Sequence, residues 1–139
     1  MYAELHCLSH FSFLRGASAP AELVSRAAEC GYHALAVTDE CSLAGVVKAH
    51  VAAKEHQLKL IIGSEFTLTE GIRLVALVPN REAYGELSGL ISRARRRCHK
   101  GEYTVHLRDI IFHLKRCFLI LLPFIVVPSP DAAPPVTRA

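Results

Sequence analysis

Short runs of apolar residues alternate along the chain with longer stretches of mixed apolar and polar character. Runs of about four to eight apolar residues are typical of strands, and an uninterrupted run indicates burial on both faces of a sheet. The runs predict strands at 2–8, 34–37, 58–62, 72–78 and 118–127. The stretches between them carry apolar residues at helical spacing and predict helices at 18–30, 42–55, 80–96 and 107–114.

Residues that begin and end helices support these boundaries. Pro20 lies in the first turn of the first predicted helix, where its missing N–H is harmless, and Gly31 follows the last residue of that helix. Ser42 and Asn80 precede the second and third helices, and both are good N-cap residues. Strands that alternate with helices in this order predict βαβ units and a parallel sheet or barrel.

Three residues with ligating side chains lie near the ends of three different predicted strands. These residues are His6, Asp39 and Glu65. The carboxyl ends of parallel strands meet at one edge of a sheet, and functional sites gather there. We therefore expect the three side chains to share one pocket.

The composition is that of a single globular domain. The chain has 139 residues, 51% of them hydrophobic and 21% charged, and its net charge of +3 is too small to indicate nucleic-acid binding by itself. Five cysteines without a Cys-x-x-Cys pair predict reduced thiols in a cytoplasmic protein. The N-terminus lacks the features of a signal peptide, and the apolar run 117–127 is shorter than the ~20 residues of a membrane helix, so we expect no membrane contact.

The segment from His6 to Gly16 resembles the first motif of PHP (polymerase and histidinol phosphatase) domains, in particular those that open the error-prone C-family bacterial DNA polymerases. Further segments that match the family in order and spacing are Ala34–Gly45, Leu60–Phe66 and Arg73–Leu77, the last followed by Tyr84, Leu87 and Leu90. The run from Arg93 to Tyr103 is similar to the error-prone branch. The resemblance covers about residues 2–103 and implies an α/β fold, a partial PHP-type β/α barrel that is incomplete, with parallel strands and flanking helices.

The resemblance also implies a changed metal site. The candidate metal ligands that remain are His6, Asp39, Glu40 and Glu65, of which Glu40 replaces a family histidine. The family ligand positions that carry other residue types are Leu8, Arg15 and Arg73. Because the arginines bring permanent charge to places where a cation would sit, we expect them to pair with the carboxylates. The alternatives are one weak site for a divalent metal (Zn, Mn or Mg) and an active two-metal phosphoesterase centre.

Two further groups carry weaker signals. A basic segment at the end of the third helix could contact DNA phosphates, although a solvated helix end is the simpler interpretation. Its members are Arg93, Arg95, Arg96, Arg97 and Lys100. His106, His113 and Cys117 have spacings that would suit zinc on a helix, but for these we expect ordinary packing.

These observations predict the N-terminal PHP segment of an error-prone DNA polymerase, read from a truncated frame and itself non-catalytic. A closed β/α barrel needs about 200 residues or more, which exceeds this chain. We expect a PHP-like domain over 1–127 and a disordered Pro/Ala-rich tail over 128–139. The resemblance implies that the full-length relative binds DNA and replication or mutagenesis proteins. The alternatives are a stand-alone PHP-type metal-dependent phosphoesterase and a non-catalytic module that binds a replication partner.

Overall fold

The computed structural model describes residues 1–123, so the end of the strand predicted at 118–127 and the predicted tail lie outside the described residues. The elements, in chain order, are β1 (Ala3–Cys7), α1 (Pro20–Glu29), β2 (Ala34–Val37), α2 (Val46–Glu55), β3 (Lys59–Thr67), β4 (Arg73–Val78), α3 (Arg81–Arg96), α4 (Leu107–His113) and β5 (Phe118–Leu122). Each predicted strand and helix therefore has a counterpart within the described residues.

The strands form one sheet in the order β1-β2-β3-β4-β5. The β1–β2 and β2–β3 pairs are parallel, as the βαβ pattern predicts. The β3–β4 and β4–β5 pairs are antiparallel, which corrects the expectation of parallel strands throughout. A short turn joins β3 to β4, whereas a parallel connection needs a crossover of about a dozen residues or more.

Two element boundaries differ from the prediction. The second helix begins at Val46 after an N-cap at Gly45, because the Ser42 hydroxyl accepts a hydrogen bond from the Ala44 N–H and forms a local turn instead. Strand β3 continues to Thr67, since its second half pairs with β4, and Glu65 lies within the strand rather than beyond it. Asn80 caps α3 as predicted, with its side chain accepting from the Ala83 N–H at 2.9 Å.

The core lies mainly on one face of the sheet, which we call the helix face. Helices α1 and α2 cover β2 there, with Val24, Leu35 and Ala49 buried between them. Helices α3 and α4 cover the second half of β3 and strand β4, with Phe66 and Leu87 fully buried. On the opposite face lies a smaller apolar cluster that includes Ala36, Val75, Leu77, Ile61, Ile120 and Leu122. Within residues 1–123, no helix is long and apolar enough to cross a membrane.

Candidate functional site

Glu65 lies at the centre of a group of charged side chains on the opposite face of the sheet. Its side chain has no solvent-accessible area. His6, near the end of β1, places its Nε2 atom 2.6 Å from Oε2 of Glu65. The ends of β1 and β3 therefore bring together two of the predicted ligand residues.

Two arginines complete the group around Glu65. Arg15 Nη1 donates to Glu40 Oε2 at 2.7 Å and to Glu65 Oε1 at 2.8 Å. Arg73 Nη2 donates to Glu65 Oε1 at 2.9 Å. The expectation that both arginines pair with carboxylates is confirmed. We call His6, Arg15, Glu40, Glu65 and Arg73 the Glu65 cluster.

The cluster keeps its central carboxylate ionised. Burial by itself would raise the pKa of Glu65, but hydrogen bonds from Arg15, Arg73 and His6 together outweigh burial and lower that pKa to about 2. The hydrogen bond to Glu65 in turn raises the pKa of Arg15 above its ordinary value. Two carboxylates, Glu40 and Glu65, thus balance two guanidinium groups.

The side chain of Asp39 makes its hydrogen bonds elsewhere. Its Oδ1 atom accepts from the Ser9 N–H at 2.8 Å and from the Ser12 hydroxyl at 2.7 Å, and its Oδ2 atom accepts from the Ser9 hydroxyl at 2.7 Å. All three residues are buried. Asp39 contacts Glu65 through the main chain, where its carbonyl accepts from the Glu65 N–H. The carboxylate of Asp39 therefore fixes the loop that follows β1.

This loop sets the position of Arg15. The Arg15 N–H donates to the Ser12 carbonyl at 3.0 Å, and the Ser12 hydroxyl accepts from the Glu40 N–H at 3.0 Å. At Gly16 the chain passes so close to Ser9 that a Cβ atom would lie 2.0 Å from the Ser9 carbonyl oxygen. A larger residue at this position would displace the loop and its arginine. Sequence reasoning assigned no role to Ser9 and Ser12, although both lie inside the His6–Gly16 segment.

Tyr103 and Arg95 extend the cluster toward the end of α3. The Tyr103 hydroxyl donates to Glu40 Oε1 at 2.7 Å and accepts from the Thr67 N–H at 2.9 Å. Burial, reinforced by the neighbouring Glu40, raises the pKa of Tyr103. The Arg95 guanidinium lies 5.3 Å from the centre of the Tyr103 ring and donates to the Cys41 carbonyl. Tyr103 was also missed from sequence, although it ends the Arg93–Tyr103 run.

Comparison with known proteins identifies the chain at the level of family. The PHP domain family matches residues 4–119. The chain belongs to the PHP domain family. The match extends beyond residues 2–103, over which the resemblance was clear from the sequence.

The curated relatives of this PHP chain are much longer proteins. An error-prone DNA polymerase of Saccharophagus degradans is 60% identical over 123 residues, which are 88% of this chain and 12% of that protein. An error-prone DNA polymerase of Dechloromonas aromatica is 64% identical over 109 residues, which are 78% of this chain and 11% of that protein. The chain is thus similar to an N-terminal segment spanning about one-eighth of such relatives.

Solved structures confirm the expected partial barrel. A Bifidobacterium adolescentis protein, proposed in its description to be a metal-dependent phosphoesterase, superposes with a TM-score of 0.57 at 26% identity, covering 83% of this chain and 44% of that one. An amidohydrolase from Chromobacterium violaceum gives a TM-score of 0.57 at 28% identity, covering 69% and 34% respectively. The five-stranded sheet with its flanking helices is a half-barrel of this kind.

The donor set of this PHP site does not fit a metal ion. Both oxygens of Glu65 already accept from guanidinium groups, and Glu40 accepts from Arg15 and Tyr103. Leu8 offers no donor atom. Among residues 1–123, no three side chains of the His, Cys, Asp and Glu types are grouped so that they could hold a metal. A cation at the cluster would have to displace at least one arginine.

In the basic segment, Arg95 and Arg97 bind other parts of the chain, and the remaining residues are exposed. Arg95 donates to main-chain carbonyls, and Arg97 forms an ion pair with the buried carboxylate of Asp109. Arg93, Arg96 and Lys100 are exposed, although Arg93 Nη1 also lies 3.2 Å from a ring nitrogen of His113.

The three residues with zinc-like spacing have separate partners. His106 lies 2.7 Å from the Thr69 hydroxyl, His113 contacts Arg93, and the Cys117 thiol donates to the Ala83 carbonyl. Each side chain is held by a different neighbour. The expectation of ordinary packing is confirmed.

Proposed function

We propose that this chain serves as a non-catalytic N-terminal PHP segment of an error-prone DNA polymerase, with its ancestral metal positions closed by ion pairs. The observation that carries the proposal is the pairing of Arg15 and Arg73 with the inaccessible carboxylate of Glu65. In this proposal the longer protein carries out DNA synthesis in replication and repair and binds DNA. A cytoplasmic location follows from the same proposal.

The role we propose for the Glu65 cluster is structural. Arg15 comes from the loop after β1, Glu40 from the segment after β2, Glu65 from β3 and Arg73 from β4. A guanidinium group donates several hydrogen bonds in one plane, so it can join several carboxylates as a bridging cation would. The cluster therefore joins four neighbouring strand ends without an ion.

Metal binding tests this proposal. The purified chain is incubated with Zn²⁺ or Mn²⁺, dialysed, and analysed for bound metal, and hydrolysis of a generic phosphomonoester is measured. We expect no stoichiometric metal and no turnover. A triple variant, Leu8→His with Arg15→Asp and Arg73→His, returns the family residue types and should gain metal. Arg26→Asp is the matched control, because Arg26 forms an exposed ion pair with Glu29 outside the cluster.

A metal-dependent phosphoesterase is the second candidate. It is favoured by the structural likeness to the Bifidobacterium adolescentis protein. If the unmodified chain held one equivalent of metal that was lost in His6→Ala, and also hydrolysed the phosphomonoester, this second function would replace the first.

DNA contact through the basic segment is part of the proposal for the longer protein. Arg93, Arg96 and Lys100 are the exposed members that remain available for phosphates. Each neutralised phosphate steepens the dependence of binding on salt concentration. Changing Arg96 and Lys100 to glutamine should weaken binding of single-stranded DNA and flatten this dependence, whereas Lys54→Gln on α2 should change neither.

A further inference from the structure

An open cavity beside the Glu65 cluster brings aromatic side chains to the basic segment. Its volume is about 410 Å³, which falls in the range of ligand-binding sites. Phe11 and Phe13, from the loop after β1, line it together with Arg95 of α3 and Tyr103. The two phenylalanines are far from the basic segment along the chain, so the sequence alone did not place aromatic and basic side chains together. We call this cavity the Phe13 pocket.

The loop after β1 presents Phe13 to solvent in a fixed conformation. The Phe13 side chain is 83% exposed, and that of Leu14 is 90% exposed. The buried Ser12 donates to Asp39 from its hydroxyl, and its carbonyl accepts from the Arg15 N–H. Leu14 has a φ of +62°, a conformation that leucine adopts rarely, so the surrounding contacts must hold this turn. An aromatic side chain held in this way can bind a partner at little cost in conformational entropy.

Cationic side chains lie close to the aromatic ones. The Lys48 ammonium, on α2, lies 5.7 Å from the centre of the Phe11 ring. Arg95 lines the pocket itself. Lys100 is exposed and directly precedes Gly101, which also lines the pocket. Positive charge therefore approaches the aromatic rings from α2 and from the end of α3.

The carboxylates near the pocket do not cancel this charge. Glu40 lines the pocket, but its two oxygens already accept from Arg15 and from the Tyr103 hydroxyl. Glu102 is exposed in the loop after α3 and adds one further negative charge. Because Arg15 balances Glu40, the cations of the preceding paragraph outnumber the remaining carboxylate. The pocket thus suits an anionic ligand that also carries flat, unpaired rings.

We propose that the Phe13 pocket binds single-stranded DNA, with a base stacked against Phe13 and the adjoining phosphates near Lys48 and Lys100. The inference rests on the proposed function, in which the longer protein binds DNA, and it names the place where this segment contacts an unpaired base. Aromatic rings flanked by cations hold single strands in this way in many proteins, because every base has a face that can stack.

Fluorescence anisotropy with two labelled strands of equal length tests the proposal. One strand is oligo(dT) of ~12 nucleotides, and the other is an abasic strand with the same phosphates and no bases. We expect the 139-residue chain to bind oligo(dT) about tenfold more tightly than the abasic strand. Phe13→Ala should remove this preference without changing the affinity for the abasic strand. Phe13→Trp should keep the preference.

The dependence on salt separates stacking from phosphate contact. Stacking releases no counterions, so Phe13→Ala should weaken oligo(dT) binding by the same factor at every salt concentration. Changing Arg96 and Lys100 to glutamine should instead reduce the salt dependence for both strands. Phe118→Ala is the matched control, because Phe118 is 67% exposed on β5 and lies outside the pocket. The midpoint of urea unfolding shows that each variant is folded.

Several results would overturn the inference. Equal affinity for the two strands is one, and a preference for oligo(dT) that survives Phe13→Ala or is lost in Phe118→Ala is another. Tighter binding of a peptide of alternating glutamate and phenylalanine than of oligo(dT) would assign the pocket to a protein partner instead. None of these results concerns metal binding or the salt dependence due to Arg96 and Lys100, so they are distinguishable from failure of the proposed function.

Discussion

Glu65 is the residue on which the ion-pair cluster depends, because it accepts from His6 and from both arginines. Glu65→Gln removes its charge, so that Arg15 keeps only Glu40 as a carboxylate partner and Arg73 loses the carboxylate with which it pairs. Loss of one partner of a buried pair costs several kcal/mol, but the arginine side chains here are about one-third exposed. We therefore expect urea denaturation to show a loss of about 2–3 kcal/mol.

The control for this substitution is Glu29→Gln. Glu29 forms an ion pair with Arg26 on the exposed surface of α1, where solvent screens the interaction. The Glu29→Gln substitution should therefore leave the midpoint of urea unfolding unchanged. Equal losses in the two variants would contradict a structural role for the cluster.

The same carboxylate predicts a dependence of stability on pH. The pKa of Glu65 is about 2 in the folded chain, against an ordinary value of 4.5. A lowered folded pKa stabilises the fold fully above the unfolded pKa, and this contribution is lost as the pH falls from about 4.5 toward 2. The difference in urea midpoint between the unmodified chain and Glu65→Gln should therefore be constant above pH 5 and shrink steadily below it. A difference that persists unchanged at pH 2.5 would contradict this assignment.

At the residue scale, the sequence predicted the partners of the arginines but not those of Asp39. His6 and Glu65 meet because both lie near strand ends, which the apolar runs locate. Asp39 and Glu40 are neighbours in an extended segment, so their side chains point to opposite sides. Only one of these two side chains can take part in the Glu65 cluster, and the pattern of apolar residues does not indicate which of them it is.

Strand β3 illustrates how a single glycine shapes an element. A Cβ atom at Gly63 would lie 2.5 Å from the Ala76 carbonyl oxygen and 2.8 Å from Cδ2 of Leu77. Because backbone on the neighbouring strand cannot move aside easily, Gly63→Ala should destabilise the chain by about 1–3 kcal/mol in thermal or urea unfolding.

Gly85→Ala is a control for which we expect a change in stability of the opposite sign. Gly85 lies within α3, and a Cβ atom there would meet nothing within 4 Å. Alanine should stabilise this helix by about 0.5–1 kcal/mol. If both substitutions stabilised the chain, this result would contradict the close approach of β3 and β4 at Gly63.

The directions of the strands were predictable in part. The crossovers that contain α1 and α2 are long enough for parallel pairing, and the first three strands are parallel. The turn at Glu70 and Gly71 is too short for a crossover, so the antiparallel β3–β4 pair could have been predicted from loop length. The full length of β3 could not have been predicted, because Gly63 and Ser64 interrupt its apolar run.

At the scale of the whole molecule, the helix face carries two apolar clusters joined by a continuous sheet. Leu35 belongs to the cluster under α1 and α2, and Leu87 belongs to the cluster under α3 and α4. Both side chains are almost completely buried, at 2% and 0% exposure. Strand β3 contributes Leu60 to the first cluster and Phe66 to the second, so neither helix pair can separate without disturbing the same strand.

This arrangement predicts one cooperative unfolding transition. Leu35→Ala and Leu87→Ala should each lower stability by about 2–5 kcal/mol, because each leaves a cavity in a packed cluster. Far-UV circular dichroism should show a single transition that moves to lower urea in both variants, and hydrogen exchange should accelerate in α1 and α3 together. If Leu35→Ala accelerated exchange in α1 alone, the two helix pairs would unfold independently. The shared strand β3 would then not couple the two apolar clusters on the helix face.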